Sequence, residues 1–469
     1  MHMTRKNFFS RASALGAMAT LALTACDAPN TQTTQNIQTS PSASTSASAT
    51  PAPITEGKGA ASRVALTYDG GVLIYDAKDM KLLADIPKEG FLRLSDAADN
   101  RHLVVADGNS YTFLDTGIWS VAHGDHSHYY TTAPSLSSLS IAADHTGHVI
   151  KDNGRVAAFA DGTGSFAVYD PAKLTRDKRT AASLDTTTVT LPKPHHGFAI
   201  PLPDNRYLVA VGDSKTRTSA AVVDAQGKTV TESPACPGVH GEAIAKDGAF
   251  TIGCTDGALI YKDGTFTKVT NPEDPYSRSG NQAGQADSQY VLADYKTDKD
   301  AKLERPEKFS IIDTVAATRT VYSLPSGVSY TFRSLARGPK GEALLLTTDG
   351  KLRVFDPATG AELGSVQLME AWTESETWQD ERPALWVDGK TAYVTDPATK
   401  KLIAVSLSNP AAPKELMSVE LPKTPNEILG VSSSKPAPVE AEAHGAEVRS
   451  SESSSASADA HESHEGHSH

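Results

Sequence analysis

Tyr68-Asp69-Gly70-Gly71-Val72-Leu73-Ile74-Tyr75-Asp76 is one copy of a unit that organises this chain. An apolar strand runs into Asp-Gly, an alternating apolar strand follows, and a second Asp closes the unit. Asp-Gly favours the tight turn that joins two neighbouring strands. The unit returns from Asp107 to Asp115, Asp161 to Asp170, Asp213 to Asp224 and Asp256 to Tyr261. A sixth copy starts at Asp294 and is stretched by a charged insertion before Phe309-Ser310-Ile311-Ile312-Asp313; Asp349 to Asp356 and Asp396 to Val405 complete the set. Successive first-Asp positions differ by 38, 54, 52, 43, 38, 55 and 47 residues. Between them lie short runs of Val, Leu, Ile, Phe and Tyr, and no long segment carries a 3.6-residue period. This pattern predicts an all-β chain. A repeat of about 40–50 residues with several strands per unit is the mark of a β-propeller. A pair of β-sandwiches or a β-helix fits the period less well. Eight copies predict eight blades, or seven if one copy is a misread hairpin. The first copy lacks an innermost strand before it, and Asn426-Glu427-Ile428-Leu429-Gly430-Val431 can supply one. The ring would then close by pairing its two ends, which removes exposed sheet edges.

The propeller is expected over residues 61–431. Residues 1–26 read as a targeting segment: Arg5, Lys6 and Arg11 precede an apolar run from Ala12 to Leu23, too short to span a bilayer as a helix. Its ending, Leu23-Thr24-Ala25-Cys26, resembles a bacterial lipoprotein signal, in which Cys26 is lipidated and anchors the chain to the membrane outside the cytoplasm; an ordinary secretory peptide is the plainer alternative. Residues 27–60, rich in Ser, Thr, Ala and Pro, read as a flexible linker. Residues 432–469 read as a disordered acidic tail carrying His444, His461, His464, His467 and His469, a composition suited to weak metal capture. The net charge of −12 argues against nucleic acid as a partner. Cys236 and Cys254 remain once Cys26 is set aside. In an oxidising compartment two thiols can pair, and the alternative is a thiolate metal ligand.

Most of the 15 histidines are grouped. Imidazole is the commonest metal-ligating side chain. In a blade the innermost strand begins about fifteen residues before the Asp turn. His148 precedes Asp161 by 13 residues, His196 precedes Asp213 by 17, and His240 precedes Asp256 by 16. Three consecutive blades thus carry a histidine at nearly one phase, where equivalent positions converge on the channel. His145, 16 residues before Asp161, is an alternative in its unit, and His195 stands beside His196. Three protein ligands with an open fourth position suit exchangeable or catalytic zinc. The plainer reading has each histidine hydrogen-bonding a neighbouring strand at the rim. Glu242, two residues after His240, would point to the same side, as a ligand or as an orienting partner of an imidazole. His123-Gly124-Asp125-His126-Ser127-His128-Tyr129-Tyr130 places four potential ligands (His123, Asp125, His126 and His128) on one insertion between the second and third units. It is expected to be a flexible arm that folds over the channel mouth to give a fourth ligand, or holds a second, weaker ion; the plainer reading is a polar loop on the surface.

Gly147-His148-Val149-Ile150, Pro194-His195-His196-Gly197 and Cys236-Pro237-Gly238-Val239-His240-Gly241-Glu242-Ala243, with the His-rich segment and its trailing Tyr-Tyr, resemble the AztD-type periplasmic zinc metallochaperones. That resemblance spans the propeller. It implies a β-propeller that binds Zn2+ and passes it to the solute-binding protein of a zinc ABC transporter. It also implies the Cys236–Cys254 bridge and a chain that is not an enzyme. A monomer is expected. The anchor and the tail are additions if the typical member is soluble. A metalloenzyme is the first competing reading. Copper propellers of the nitrous oxide reductase type need histidines from nearly every blade, and here three blades qualify; no Cys-x-x-Cys-His haem motif occurs. A zinc hydrolase with Glu242 as base is the other enzymatic form. A metal-independent interaction propeller is the third reading, since fold alone decides no function.

Overall fold

A computed structural model describes residues 52–175, 184–271 and 273–435. The targeting segment with Cys26, most of the linker and the tail beyond Lys435 lie outside the described residues, and so do the histidines from His444 onward.

The described chain is an eight-bladed β-propeller. Eight four-stranded antiparallel sheets follow one another, and six of them are built from consecutive strands from the channel outward. Seven blades is therefore not the count. Blade 3 shows the pattern: Thr146–Asp152, Arg155–Ala160, Ser165–Tyr169 and Thr187–Thr190. The repeat seen in the sequence is the second and third strands of each blade with the turn between them. In blade 1 these are Ser62–Tyr68 and Gly71–Asp76, and Gly70 takes the turn with φ of 108°. Middle strands are covered on both faces by neighbouring blades, so they read as continuous apolar runs. Outermost strands such as Leu82–Pro87 alternate exposed and half-buried residues. The sixth copy departs from the rule. Asp294 is not in a turn but inside the strand Tyr290–Tyr295, 2% exposed, and the connection that follows it is the charged insertion.

The ring closes where expected. Ile428–Ser432 pairs antiparallel with Ser62–Tyr68, from Ser62↔Ser432 to Leu66↔Ile428, and becomes the innermost strand of blade 1. Val64, Leu66 and Leu73 of blade 1 pack on Tyr393, Leu402 and Ala404 of blade 8, so an apolar seam seals the same joint. A ninth sheet, Thr55–Gly57 with His126–Thr131 and Ile118–His123, stands outside the blades. Its first strand falls within the stretch expected to be linker.

Candidate metal centre

His148, His196 and His240 come together at the rim where the innermost strands enter the channel. Ring centroids are 5.2 Å apart for His148–His196, 5.5 Å for His148–His240 and 5.1 Å for His196–His240. One ring nitrogen from each lies within 4.8 Å of the others. Zinc–nitrogen bonds of about 2.0–2.1 Å put tetrahedral nitrogens about 3.4 Å apart, so a modest inward turn of the rings would encircle one ion. Local backbone sets the aim. His148 sits at a register shift between Thr146 and Val149 in the first strand of blade 3, and such bulges re-aim side chains. His196 and His240 precede the first strands Ala199–Leu202 and Glu242–Ile244. The His240 amide donates to the Gly253 carbonyl at 3.0 Å; a Cβ on Gly253 would lie 2.5 Å from the His240 carbonyl oxygen, so only glycine admits this approach.

Each imidazole has its Nδ1 against a group that can only accept. His148 Nδ1 donates to Glu242 Oε1 at 3.0 Å, His196 Nδ1 to Asp161 Oδ2 at 2.6 Å, and His240 Nδ1 to the Gly280 carbonyl at 2.7 Å. The Nδ1 protons are therefore fixed, and the Nε2 lone pairs are left for a metal. The Gly280 peptide is itself held: its amide donates to Asp294 Oδ1 at 2.6 Å, and Asn281 donates to Asp294 Oδ2 at 2.9 Å. Burial and repulsion from His148 and His196 push the His240 pKa well below the ordinary 6.5. Burial also works against a charged His148, but the charge of Glu242 and the hydrogen bond to it outweigh that, and its pKa is raised. The His240 ring is thus biased toward the neutral form that can ligate, and the His148 ring toward the protonated form.

The other candidates go elsewhere. Glu242 is not pooled with the three rings; Oε1 orients His148, and Oε2 is buried with no hydrogen-bond partner among the described residues. His145 is exposed, at a left-handed φ of 56°, and its Nδ1 faces Asp144 Oδ1 at 2.7 Å. His195 is 4% exposed beneath the site, its Nδ1 against the Lys193 carbonyl at 2.8 Å and its Nε2 against the Ala210 carbonyl at 3.0 Å, so neither nitrogen is turned to the cluster. Cys236 and Cys254 are bridged, with Cα atoms 4.9 Å apart, which excludes thiolate ligands.

The insertion is no irregular arm. It is a β-hairpin between the third and fourth strands of blade 2, Ile118–His123 and His126–Thr131, turning at Gly124-Asp125. His123 and His126 are cross-strand partners, and His128 is two residues on from His126, so all three share one face. They form a second, exposed trio with ring centroids 5.2, 5.4 and 5.0 Å apart. Asp125 Oδ1 faces His126 Nδ1 at 3.2 Å. The hairpin does not reach the channel trio. It leaves from the end of a third strand, Ser110–Asp115, and its Ser120 bonds backbone just beyond the end of the innermost strand Ile428–Ser432. Third strands run parallel to first strands, so this is the opposite rim of the ring. Three residues went unnoticed in the sequence. Asp161 served there only as a turn marker, Asp294 supports His240 through a peptide, and Glu56 accepts from His128 Nδ1 at 2.7 Å. Asp161 Oδ1 also accepts from the Gly197 amide at 3.4 Å, across 36 residues of chain, a long-range contact that no local signal marks.

No protein-family model matches the chain. The zinc chaperone AztD of Citrobacter koseri is 27% identical over 350 residues, covering 72% of this chain and 79% of that protein. A crystal structure of Citrobacter koseri AztD superposes with a TM-score of 0.67 at 24% identity, covering 80% of this chain and 98% of the other. Its apo structure gives 0.68 at 25% identity with the same coverage. In sequence and in fold, then, this chain is similar to the zinc chaperone AztD, as the motifs around its channel histidines led one to expect.

Proposed function

We propose that this chain is a zinc metallochaperone: it holds Zn2+ on His148, His196 and His240 at the channel rim and hands it to the solute-binding protein of a zinc ABC transporter. The observation that carries the reading is the set of three Nδ1 hydrogen bonds, which leave the Nε2 atoms of three clustered rings for one ion across consecutive blades. Three neutral nitrogens with an open position bind a cation firmly and still admit an incoming ligand from an acceptor, as hand-over requires. Kinship with AztD favours zinc over other divalent ions and carriage over catalysis. The targeting segment and Cys26 support an extracytoplasmic site of action with a lipid anchor, and a single ring fits a monomer. The test is competitive zinc titration of the full chain. Binding should be tight and stoichiometric at this site, and His148→Ala with His196→Ala and His240→Ala should abolish it. Equal affinity in parent and triple variant would refute the site. Transfer to a purified solute-binding protein, followed by size separation and metal analysis, tests delivery.

A further inference from the structure

Two arginines share the rim with the channel trio and have no counter-ion there. Arg217 opens Arg217–Val223, the third strand of blade 4, and Arg278 precedes Gln282–Ala283, the first strand of blade 6. Third strands start on the rim where first strands start, so the pair flanks the blade 5 entrance that carries His240. The Gly238 amide donates to the Arg217 carbonyl at 2.8 Å, and a Cβ on Gly238 would stand 3.7 Å from Arg278 Nη1. A Cβ on Gly280, whose carbonyl accepts from His240 Nδ1, would stand 3.1 Å from Arg278 Nε and 3.4 Å from Nη2. Neither guanidinium makes an ion pair or a hydrogen bond among the described residues, and Arg217 Nε is buried in that state. The nearby carboxylates are engaged elsewhere: Glu242 with His148, Asp161 with His196, and Asp294 with the Gly280 amide and Asn281. Arg93, whose charge His148 also feels, is tied to Glu427 at 2.9 Å. Burial and then repulsion from Arg278 lower the Arg217 pKa, which reports how close the two cations stand.

A cation site bordered by two unpaired cations is unfavourable until an anion joins it. The trio leaves one zinc position open, and zinc accepts carboxylate oxygen as well as imidazole nitrogen. The guanidinium fork matches a carboxylate through two parallel hydrogen bonds, and it has no lone pair with which to compete for the ion. We propose that Arg217 and Arg278 are the receptor for an incoming carboxylate that completes the zinc site, one oxygen taking the open position on the ion and the other lying against the guanidiniums. That carboxylate belongs to an Asp or Glu side chain of the acceptor protein or to a small free acid. The inference rests on the channel reading above and gives hand-over a first step. The carboxylate enters beside the arginines, ligates the ion without displacing an imidazole, and neutralises the charge around it.

The experiment loads one equivalent of Co2+ into the full chain carrying His123→Ala, His126→Ala and His128→Ala, so that its visible bands report the channel trio. Acetate is then titrated into this parent and into the same chain with Arg217→Gln and Arg278→Gln. The parent bands should shift saturably, and the arginine variant should need at least tenfold more acetate. Zinc affinity in carboxylate-free buffer, read against a chromophoric chelator, should be equal or higher in the variant, because two repelling charges are gone. Equal acetate response in both chains overturns the inference. So does a variant that loses zinc affinity without acetate, as a merely structural pair would, and so does an identical response to chloride or phosphate at equal concentration. Equal urea midpoints exclude unfolding, and Arg278→Gln alone, which leaves the more buried Nε of Arg217 in place, should move both readouts in the same direction. Transfer to a purified solute-binding protein separates the two sources. Acetate that slows transfer from the parent but not from the variant assigns the carboxylate to the acceptor, and acetate that speeds it assigns the carboxylate to a free acid. Stoichiometric metal on the trio with no acetate response refutes this inference alone; no metal on the trio refutes the channel reading and this inference with it.

Discussion

Glu242→Gln separates the two jobs that Glu242 does for His148. The amide keeps an oxygen that can accept from Nδ1 and removes one negative charge. In the parent, that charge and hydrogen bond raise the His148 pKa against the pull of burial. Between pH 6.5 and this raised value the empty ring holds both protons, and zinc must displace the one on Nε2. Each displaced proton costs a factor of about ten in affinity, about 1.4 kcal/mol, per pH unit below the pKa. His240 gives up no proton there, because burial and its two neighbours keep it neutral. In the Gln variant burial acts with less opposition, so the His148 pKa falls and zinc binding releases fewer protons. Losing the charged orienting partner itself costs about 10–100-fold in affinity. The two effects oppose each other. The deficit of the variant should be largest above the raised His148 value, where the parent has no proton to displace, and should shrink on acidification through it. Calorimetry in buffers of different ionisation enthalpy counts the protons, and competition titrations give the affinities. Equal proton release in parent and variant, or a deficit that grows on acidification, would refute the reasoning. The same shift has a stability side. The raised pKa stabilises the empty fold below pH 6.5, and that contribution is lost as pH rises through the folded value.

Three further outcomes are expected. Asp99→Asn should lower stability by about 3–5 kcal/mol, read as the urea midpoint, because Asp99 is fully buried against His102 Nδ1 at 2.6 Å. Burial opposes both charges of that pair, yet each outweighs it for the other, so Asp99 is lowered and His102 raised; the pair's contribution should fade as pH drops through the Asp99 value or climbs through the His102 value. Replacing Cys236 and Cys254 with Ala should cost roughly 3 kcal/mol and weaken zinc at the channel, since the bridged segment leads directly to His240; unchanged affinity would show that Gly253 and Gly280 hold His240 without it. His145→Ala should leave channel affinity within twofold of the parent, whereas His195→Ala should lower the urea midpoint, because its ring fills a buried slot between two carbonyls and Phe159.

Much of the fold was legible because a propeller repeats. Each blade buries its middle strands on both faces and turns at a fixed point, so Asp-Gly and the apolar runs recur at a readable spacing. Asp294 misled the count of turns, not of blades: its carboxylate is spent on the Gly280 amide and Asn281 inside a strand, a long-range use that mimics a turn residue in sequence. The hairpin was misread because His123 to Thr131 lacks apolar content on one face. Its alternation is carried by histidine and tyrosine, and its partner Thr55–Gly57 lies about seventy residues away.

The amino-acid sequence by itself determined the eightfold repeat, the closing strand and the phase at which His148, His196 and His240 enter the channel. Phase is a property of spacing, and ring symmetry turns equal phase into proximity. Only the tertiary structure decided between His145 and His148, turned His195 into the core, and set Glu242 behind His148. It also placed the two trios on opposite rims. Those outcomes depend on a bulge, on which carbonyls lie within reach, and on the direction of strands paired across hundreds of residues, and no local pattern carries such information.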